Sequence, residues 1–515
     1  MSIHSLCKPR PSVHAADRRA TVLNLDTFLK GEVNGSDFFE ENYFTHGMLT
    51  LVDRAFRHLG GSGAGSSVFL LSQAMGGGKT HSMIALGLLA RDPALRNKVL
   101  TGDQNPAPSL GPCRVVGFNG RSTDAAGGIW GSIAEQLGKA DQFARYVSPL
   151  LSAPGPEAWK QLLGGEPLVL FLDELPPYLE YAVAVPVGNA DLGVVTTAAL
   201  ANLFVAVADM PNVCLVLSDL AGSNFSVGQS RLEDAFNRAV QGITSESRRI
   251  AVPITPVNPN GDELYHILRK RLFAQVAPEP EVKKVAEAYR EALREAVQMG
   301  LTTTSPETLF TRVLDAYPFH PDLRELVGKF KENEGFQQTR GVIRLMQMVV
   351  SNLWNSGKAN NIDLIHPYDL DLNLDEIASE VRTINPSLSE AIAHDIAHAG
   401  DAEVEQIDLA NGNSDASDAA RLILVASLST TPGAIHGLRE YQLVDCLQRP
   451  GRDLSTFKAN VLDKLATRAL QSIEDELRSE NTPSDDPQWR ALDSLRDRVG
   501  LQFTAALKEA FDQIV

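Results

Sequence analysis

Five short apolar runs punctuate the first half of the chain: SSVFLLS (66–72), RVVGFNG (114–120), PLVLFLDE (167–174), NVCLVLSD (212–219) and IAVPITPV (250–257). Each is bounded by glycine, proline or polar residues and predicts a strand. Between them lie stretches of helical period. In GMLTLVDRAFRHL (47–59), Leu49, Val52, Ala55, Phe56 and Leu59 fall on one face. HSMIALGLLAR, IWGSIAEQLG and TTAALANLFVAVAD read the same way. Strands that alternate with helices predict a parallel sheet covered on both faces. Pro253 and Pro256 cannot donate ladder hydrogen bonds, which places the last run at a sheet edge.

From residue 262 the pattern turns helical: DELYHILRKRLF, EVKKVAEAYREALREAVQ, PETLFTRVLDAY and GVIRLMQMVVSNLW. The expected organisation is a polar arm over 1–35, an α/β core over 36–257 and an all-α lid over 258–357. An acidic connector over 358–417 and a mainly α, winged-helix-like region over 418–515 complete it.

Composition narrows the function. Acidic residues outnumber basic ones 64 to 47, a formal charge of −17, the reverse of a chain built for non-specific nucleic-acid binding. The four cysteines have no CxxC spacing, and the eleven histidines no HExxH or HxH, which argues against a disulfide framework or a zinc site. No run is long and apolar enough to span a membrane, and no secretion signal opens the chain. A cytoplasmic protein is expected.

The chemistry concentrates after the first strand. Residues 73–80 read Gln73-Ala74-Met75-Gly76-Gly77-Gly78-Lys79-Thr80, against the phosphate-binding pattern G-x-x-x-x-G-K-[ST]. Only the first glycine is replaced. The three glycines permit positive φ and let backbone N–H groups face phosphate oxygens. Lys79 is placed for the β- and γ-phosphates, Thr80 for Mg²⁺, and the helix that opens there, with His81 in its first turn, adds its positive end. The plainer alternative is a glycine-rich turn beside an unrelated lysine. PLVLFLDE then delivers Asp173 and Glu174 from a buried strand. Asp173 is expected to hold Mg²⁺ through water, and Glu174 to orient and polarise an attacking water, so hydrolysis of ATP is expected beyond binding.

Three weaker candidates follow. Ser218, at the end of VCLVLSD, can address the γ-phosphate or the lytic water, or simply cap a strand. Arg248 and Arg249 precede the last strand, where one of them can act as an arginine finger on a neighbouring subunit or sit as a solvated basic pair; Arg249 is preferred. Arg340 opens the helix QTRGVIRLMQ and can reach the γ-phosphate from the lid, with Arg344 as the alternative.

The pieces AMGGGKTHSMIALGLLA, FFEENYFTHGMLTLV, IWGSIAEQLG, VPITPV with ELYHILRKRLF, YPFHP (Tyr317–Pro321) and QTRGVIRLMQMVVSNLW resemble those of a large bacterial AAA+ group, domain-of-unknown-function family four-nine-nine. The resemblance covers 38–357 well and the remainder loosely. It implies an AAA+ P-loop NTPase fold, ATP and Mg²⁺ as ligands, and a ring or filament of identical subunits. Members of the group resemble the ATPases of phage-exclusion systems and are often much longer than this chain. The resemblance therefore implies a defence role beside proteins such as a DNA methyltransferase or nuclease, with DNA as a further partner. A slow regulatory switch or scaffold, and a DNA translocase subunit, are the alternatives.

Overall fold

The computed structural model describes residues 2–15, 23–61, 66–73, 76–123, 125, 127–148, 151–220, 230–258, 263–331, 333, 336, 338–431, 437–479 and 487–497. The chain forms two compact units, one from 19–260 and one from 1–18 with 261–515.

The frame of the first unit is a parallel sheet of β1 (Val68–Leu71), β2 (Arg114–Asn119), β3 (Leu168–Asp173), β4 (Val213–Ser218) and β5 (Val252–Ile254). Its spatial order is β2-β3-β4-β1-β5. Side chains alternate across a strand, so each apolar run feeds two cores. Leu168, Leu170 and Leu172 of β3 face one side with Leu215 and Leu217 of β4. Val169, Phe171, Cys214 and Val216 face the other. On the first side pack α3 (Leu175–Ala184), α4 (Leu192–Ala208) and α5 (Ser230–Ile250), and on the second α1 (His46–Leu59) and α2 (Lys79–Arg91). In α2, Gly87 lets the helix settle on the sheet: an added Cβ would lie 2.7 Å from Phe28 Cε1 and 3.0 Å from Phe171 Cε2.

Both edge strands have local features of their own. β5 has three residues, includes Pro253, and pairs only with β1 among the described strands. On β2, Gly117 N donates to Gln136 Oε1 at 3.0 Å, and Gln136 Nε2 donates to Gly117 O at 2.7 Å. The side-chain amide of Gln136 thus completes the ladder where the sheet ends.

The second unit is helical: α6 (Glu263–Leu272), α7 (Glu279–Gln298), α8 (Pro306–Ala316), α9 (Leu323–Phe330), α10 (Gln338–Asn355) and further helices to Asp497. One continuous core runs from Ile3 to Leu465. The expected breaks near 357 and 417 are therefore not boundaries of packing. Helices Asp375–Ile384 and Glu403–Asn411 occupy the stretch expected as a connector, burying Val381 and Ile407, and Asp415–Ala426 runs across its expected end. Asn333 Nδ2 donates to Leu428 O at 2.6 Å and Ile384 O at 3.1 Å, tying three of the expected segments together. The described residues of 418–515 form helices joined by loops, with no strand among them to form a wing.

Residues 2–15, expected as part of a polar arm, are folded into this unit. Lys8–Pro9 pairs antiparallel with Phe273–Gln275, and Ile3, Cys7 and Val13 are buried. Leu25–Leu29 belongs to the other unit, where Phe28 meets Phe171 edge-on. Apolar residues this sparse carry no period, so only tertiary contact reveals them. Around His366, Tyr289 Oη donates to Nε2 at 2.8 Å and Cys446 O accepts from Nδ1 at 3.2 Å. Full burial holds His366 well below the usual imidazole range, so it stays neutral in this arrangement.

Candidate functional site

The register aligns the carboxyl ends of the strands. Asn119 pairs with Asp173, Leu172 with Leu217, and Leu71 with Ser218. Crevices at the carboxyl ends of parallel strands are where open α/β sheets bind ligands. Here the helix that follows the loop after β1 meets the last residue of β3, with the end of β4 beside it.

Gly76 and Gly78 take φ of 82° and 90°, the left-handed region glycine enters without steric cost. Gly78 is the N-cap of α2, and Lys79 and Thr80 open that helix. Thr80 Oγ1 donates to Asp173 Oδ2 at 2.6 Å. Ser218 Oγ accepts from Glu174 N at 3.1 Å, and Asp173 Oδ1 accepts from the same N–H at 3.0 Å. Lys79 Nζ donates to the carbonyl of Gln73. Burial pulls the Lys79 ammonium below its ordinary range, opposed by the charges of Asp173, Asp219 and Glu174. Asp173 is 2% exposed, and burial pushes its carboxyl up against the hydrogen bonds it accepts from Thr80 and Ser218.

Glu174 has φ 48° and ψ 44°, a left-handed conformation uncommon for a residue with a side chain. It caps α3, whose first turn carries Pro176 and Pro177, and a proline there surrenders no helical hydrogen bond. Gly120 makes room for this bend, because a Cβ at Gly120 would collide with Glu174 O and lie 2.6 Å from Leu175 Cα. The Glu174 carboxylate is ion-paired to Arg121, with side chains 40% and 64% exposed. Glu174 supplies the largest cause of the raised Arg121 pKa, a side-chain hydrogen bond.

Most of the expected residues converge: Gln73, Gly76, Gly77, Gly78, Lys79, Thr80, Asp173, Glu174 and Ser218 stand at one end of the sheet. His81 lies in the first turn of α2 with its ring 6.1 Å from that of Phe38, a packing position. Ala74 and Met75 lie outside the described residues. Arg248 and Arg249 are not brought to this site by the chain itself. They end α5 just before β5 begins, and β5 runs parallel to β1, so they stand at the opposite end of the strands. Both are exposed, and Arg249 pairs with Glu246 at 2.8 Å. Arg340 belongs to the helical unit, in the first turn of α10, and the alternative Arg344 is engaged with Glu380.

Sequence reading missed Arg121, Asn119 and Thr45. Asn119 Nδ2 donates to Asp26 Oδ2 at 2.6 Å, and Asn119 Oδ1 accepts from Arg121 N at 3.1 Å. Thr45 caps α1 and donates to Pro256 O at 2.5 Å. The signal available for the first two was a polar cluster, Asn119-Gly120-Arg121, at the end of an apolar strand.

Thr80 and Asp173 present a hydroxyl and a carboxylate side by side, hard oxygen donors that suit Mg²⁺. Among the described residues no cluster of three or more His, Cys, Asp or Glu forms a metal cage.

Comparison with curated proteins and with solved structures finds no match. Two family domains do match, at 32–108, which spans α1, β1, the glycine loop and α2, and at 259–399 in the helical unit. The chain thus carries the DUF499 N-terminal domain and the DUF499 second domain.

Proposed function

We propose that the α/β unit binds Mg·ATP and hydrolyses it, as an AAA+ P-loop ATPase. The observation that carries this reading is the meeting of Lys79, Thr80, Asp173, Glu174 and Ser218 at the ends of β1, β3 and β4. The strand bearing the acidic pair is separated from β1 by β4, and Thr80 at the end of the loop still reaches Asp173 across it. The edge position of β5 also agrees with the AAA+ resemblance.

In this reading the N–H groups of Gly76–Gly78 and the amino end of α2 bind phosphate oxygens. Lys79 exchanges the Gln73 carbonyl for a phosphate. Thr80 and Asp173 hold Mg²⁺, which when bound neutralises charge on the phosphates. Glu174 orients water and takes its proton, with its backbone N–H fixed by Asp173 and Ser218. Arg249, or Arg248, serves a neighbouring copy, since neither stands at its own chain's site. The test is phosphate release by the purified chain with ATP and Mg²⁺. Turnover is expected, and it should vanish with EDTA; a chain that neither binds nor cleaves ATP overturns the proposal.

A second reading, a switch with slow hydrolysis, is favoured by the Arg121–Glu174 pair, which occupies the carboxylate that must face water. Exposed pairs contribute only about 0.2–1 kcal/mol, so Arg121→Ala should leave Tm nearly unchanged. Released from its partner, Glu174 should turn ATP over about two- to five-fold faster. Phosphate release measured beside a melting curve checks both; slower turnover would instead make Arg121 part of the working site.

The DUF499 domains support the resemblance on which an anti-phage role rests. We accordingly place the ATPase as a motor or switch that remodels a defence complex, with DNA as one candidate ligand of that complex.

A further inference from the structure

The one departure from the phosphate-loop pattern, Gln73, has a side chain that is fully employed. Nε2 donates to Val257 O at 3.1 Å, and Oε1 accepts from Val257 N at 3.1 Å. Its methylenes lie against Gly77, where an added Cβ would collide with Gln73 Cγ. Its own carbonyl accepts from Lys79 Nζ. One residue therefore touches the bend of the loop, the cation of the loop and the segment through which the chain leaves β5.

That segment is gripped elsewhere too. Thr45 Oγ1 donates to Pro256 O, and Gly47 approaches so closely that an added Cβ would lie 2.6 Å from the same oxygen. At Gly78 an added Cβ would lie 3.4 Å from Val257 Cγ2. Residues 255–257 are thus a short strap between the glycine loop and the start of α1.

We propose that Gln73 is a positioning residue that couples occupancy of the phosphate loop to the backbone of Val257. The proposal rests on the nucleotide reading above. When Lys79 exchanges the Gln73 carbonyl for a phosphate, that carbonyl loses the charge that orients it and turns. A glycine at this position would turn alone. In Gln73 the shift of Cα that accompanies the turn is passed to a side-chain amide bonded at both ends to one residue of the strap; Val257 moves with it or two hydrogen bonds break together. Nucleotide state is in this way read out at the exit of β5.

Backbone hydrogen exchange over 252–258 tests this on the full chain, with and without Mg²⁺ and an imido-bridged ATP analogue. Native protein should show an exchange rate that changes about three-fold or more on binding. Gln73→Gly removes the clasp, and Gln73→Met keeps the packing on Gly77 without the hydrogen bonds. With the analogue at a concentration that titration shows to be saturating for each variant, both should show bound and free rates within about 1.5-fold of each other. A purely structural role would raise exchange equally in both states and preserve the native ratio, which overturns the coupling. Native protein that binds the analogue with no change over 252–258 also overturns it. Native protein that binds no analogue overturns the nucleotide reading, and this proposal with it.

Discussion

Glu174→Gln should bind ATP as tightly as the native chain and release phosphate about 100- to 10,000-fold more slowly, the usual reach of a positioned general base. The substitution keeps the shape of the side chain and removes only its negative charge. Binding is expected to survive because phosphate contacts come from the glycine loop, Lys79 and Thr80, whereas the Glu174 carboxylate is engaged by Arg121. The left-handed backbone at Glu174 is equally open to glutamine, so the cap of α3 should hold. The Arg121 ion pair is lost, but it is an exposed one and carries little stability. Single-turnover phosphate release together with equilibrium binding of a fluorescent analogue separates the two effects. Native turnover in the variant would remove Glu174 from the reaction.

Lys79→Ala should fail earlier, at binding. A hydrogen bond to a charged group is worth about 1.5–3 kcal/mol, so affinity for ATP should fall roughly 10- to 150-fold. Turnover should fall below detection, because the same cation is needed as charge builds on the transferred phosphoryl group. The fold should persist, since the ammonium is drawn into the site at a desolvation cost that its removal lifts. Isothermal titration with ATP and a melting curve distinguish lost binding from lost structure. The variant also serves as a donor. Mixed with Arg249→Ala subunits it should restore activity if Arg249 works across an interface, because each copy then supplies what the other lacks. Mixtures that remain inactive would count against a finger in trans.

Much of the fold lay open in the pattern of apolar residues, and for a physical reason. Strands buried on both faces must be apolar throughout, so SSVFLLS, PLVLFLDE and NVCLVLSD could hardly be anything else. Edge position followed from Pro253, a residue unable to donate. The convergence of Lys79, Thr80, Asp173 and Ser218 was legible because each sits at the end of such a run. What stayed hidden depends on contacts between residues far apart in the chain. Ile3, Cys7 and Val13 are too few to show a period, yet they bury beside α6 and its neighbours. Acidic stretches of 358–417 looked like a linker because polar residues outnumber the regularly spaced Ile377, Val381 and Ile407 that hold them to the core. Gln73 read as a defect in a motif; its meaning is set by Val257, 184 residues away.

The two margins of the sheet bear on how copies of the chain can meet. An open strand edge is an invitation for another chain to add on, the route to uncontrolled strand-to-strand growth. Gln136 closes that route on one side by filling the hydrogen bonds of Gly117, and a three-residue strand with a proline closes it on the other. Both features turn self-association of this unit away from its sheet edges and toward its helices and loops. Surfaces of that kind can part and rejoin with the state of a bound ligand, whereas a sheet continued from one chain to the next would lock.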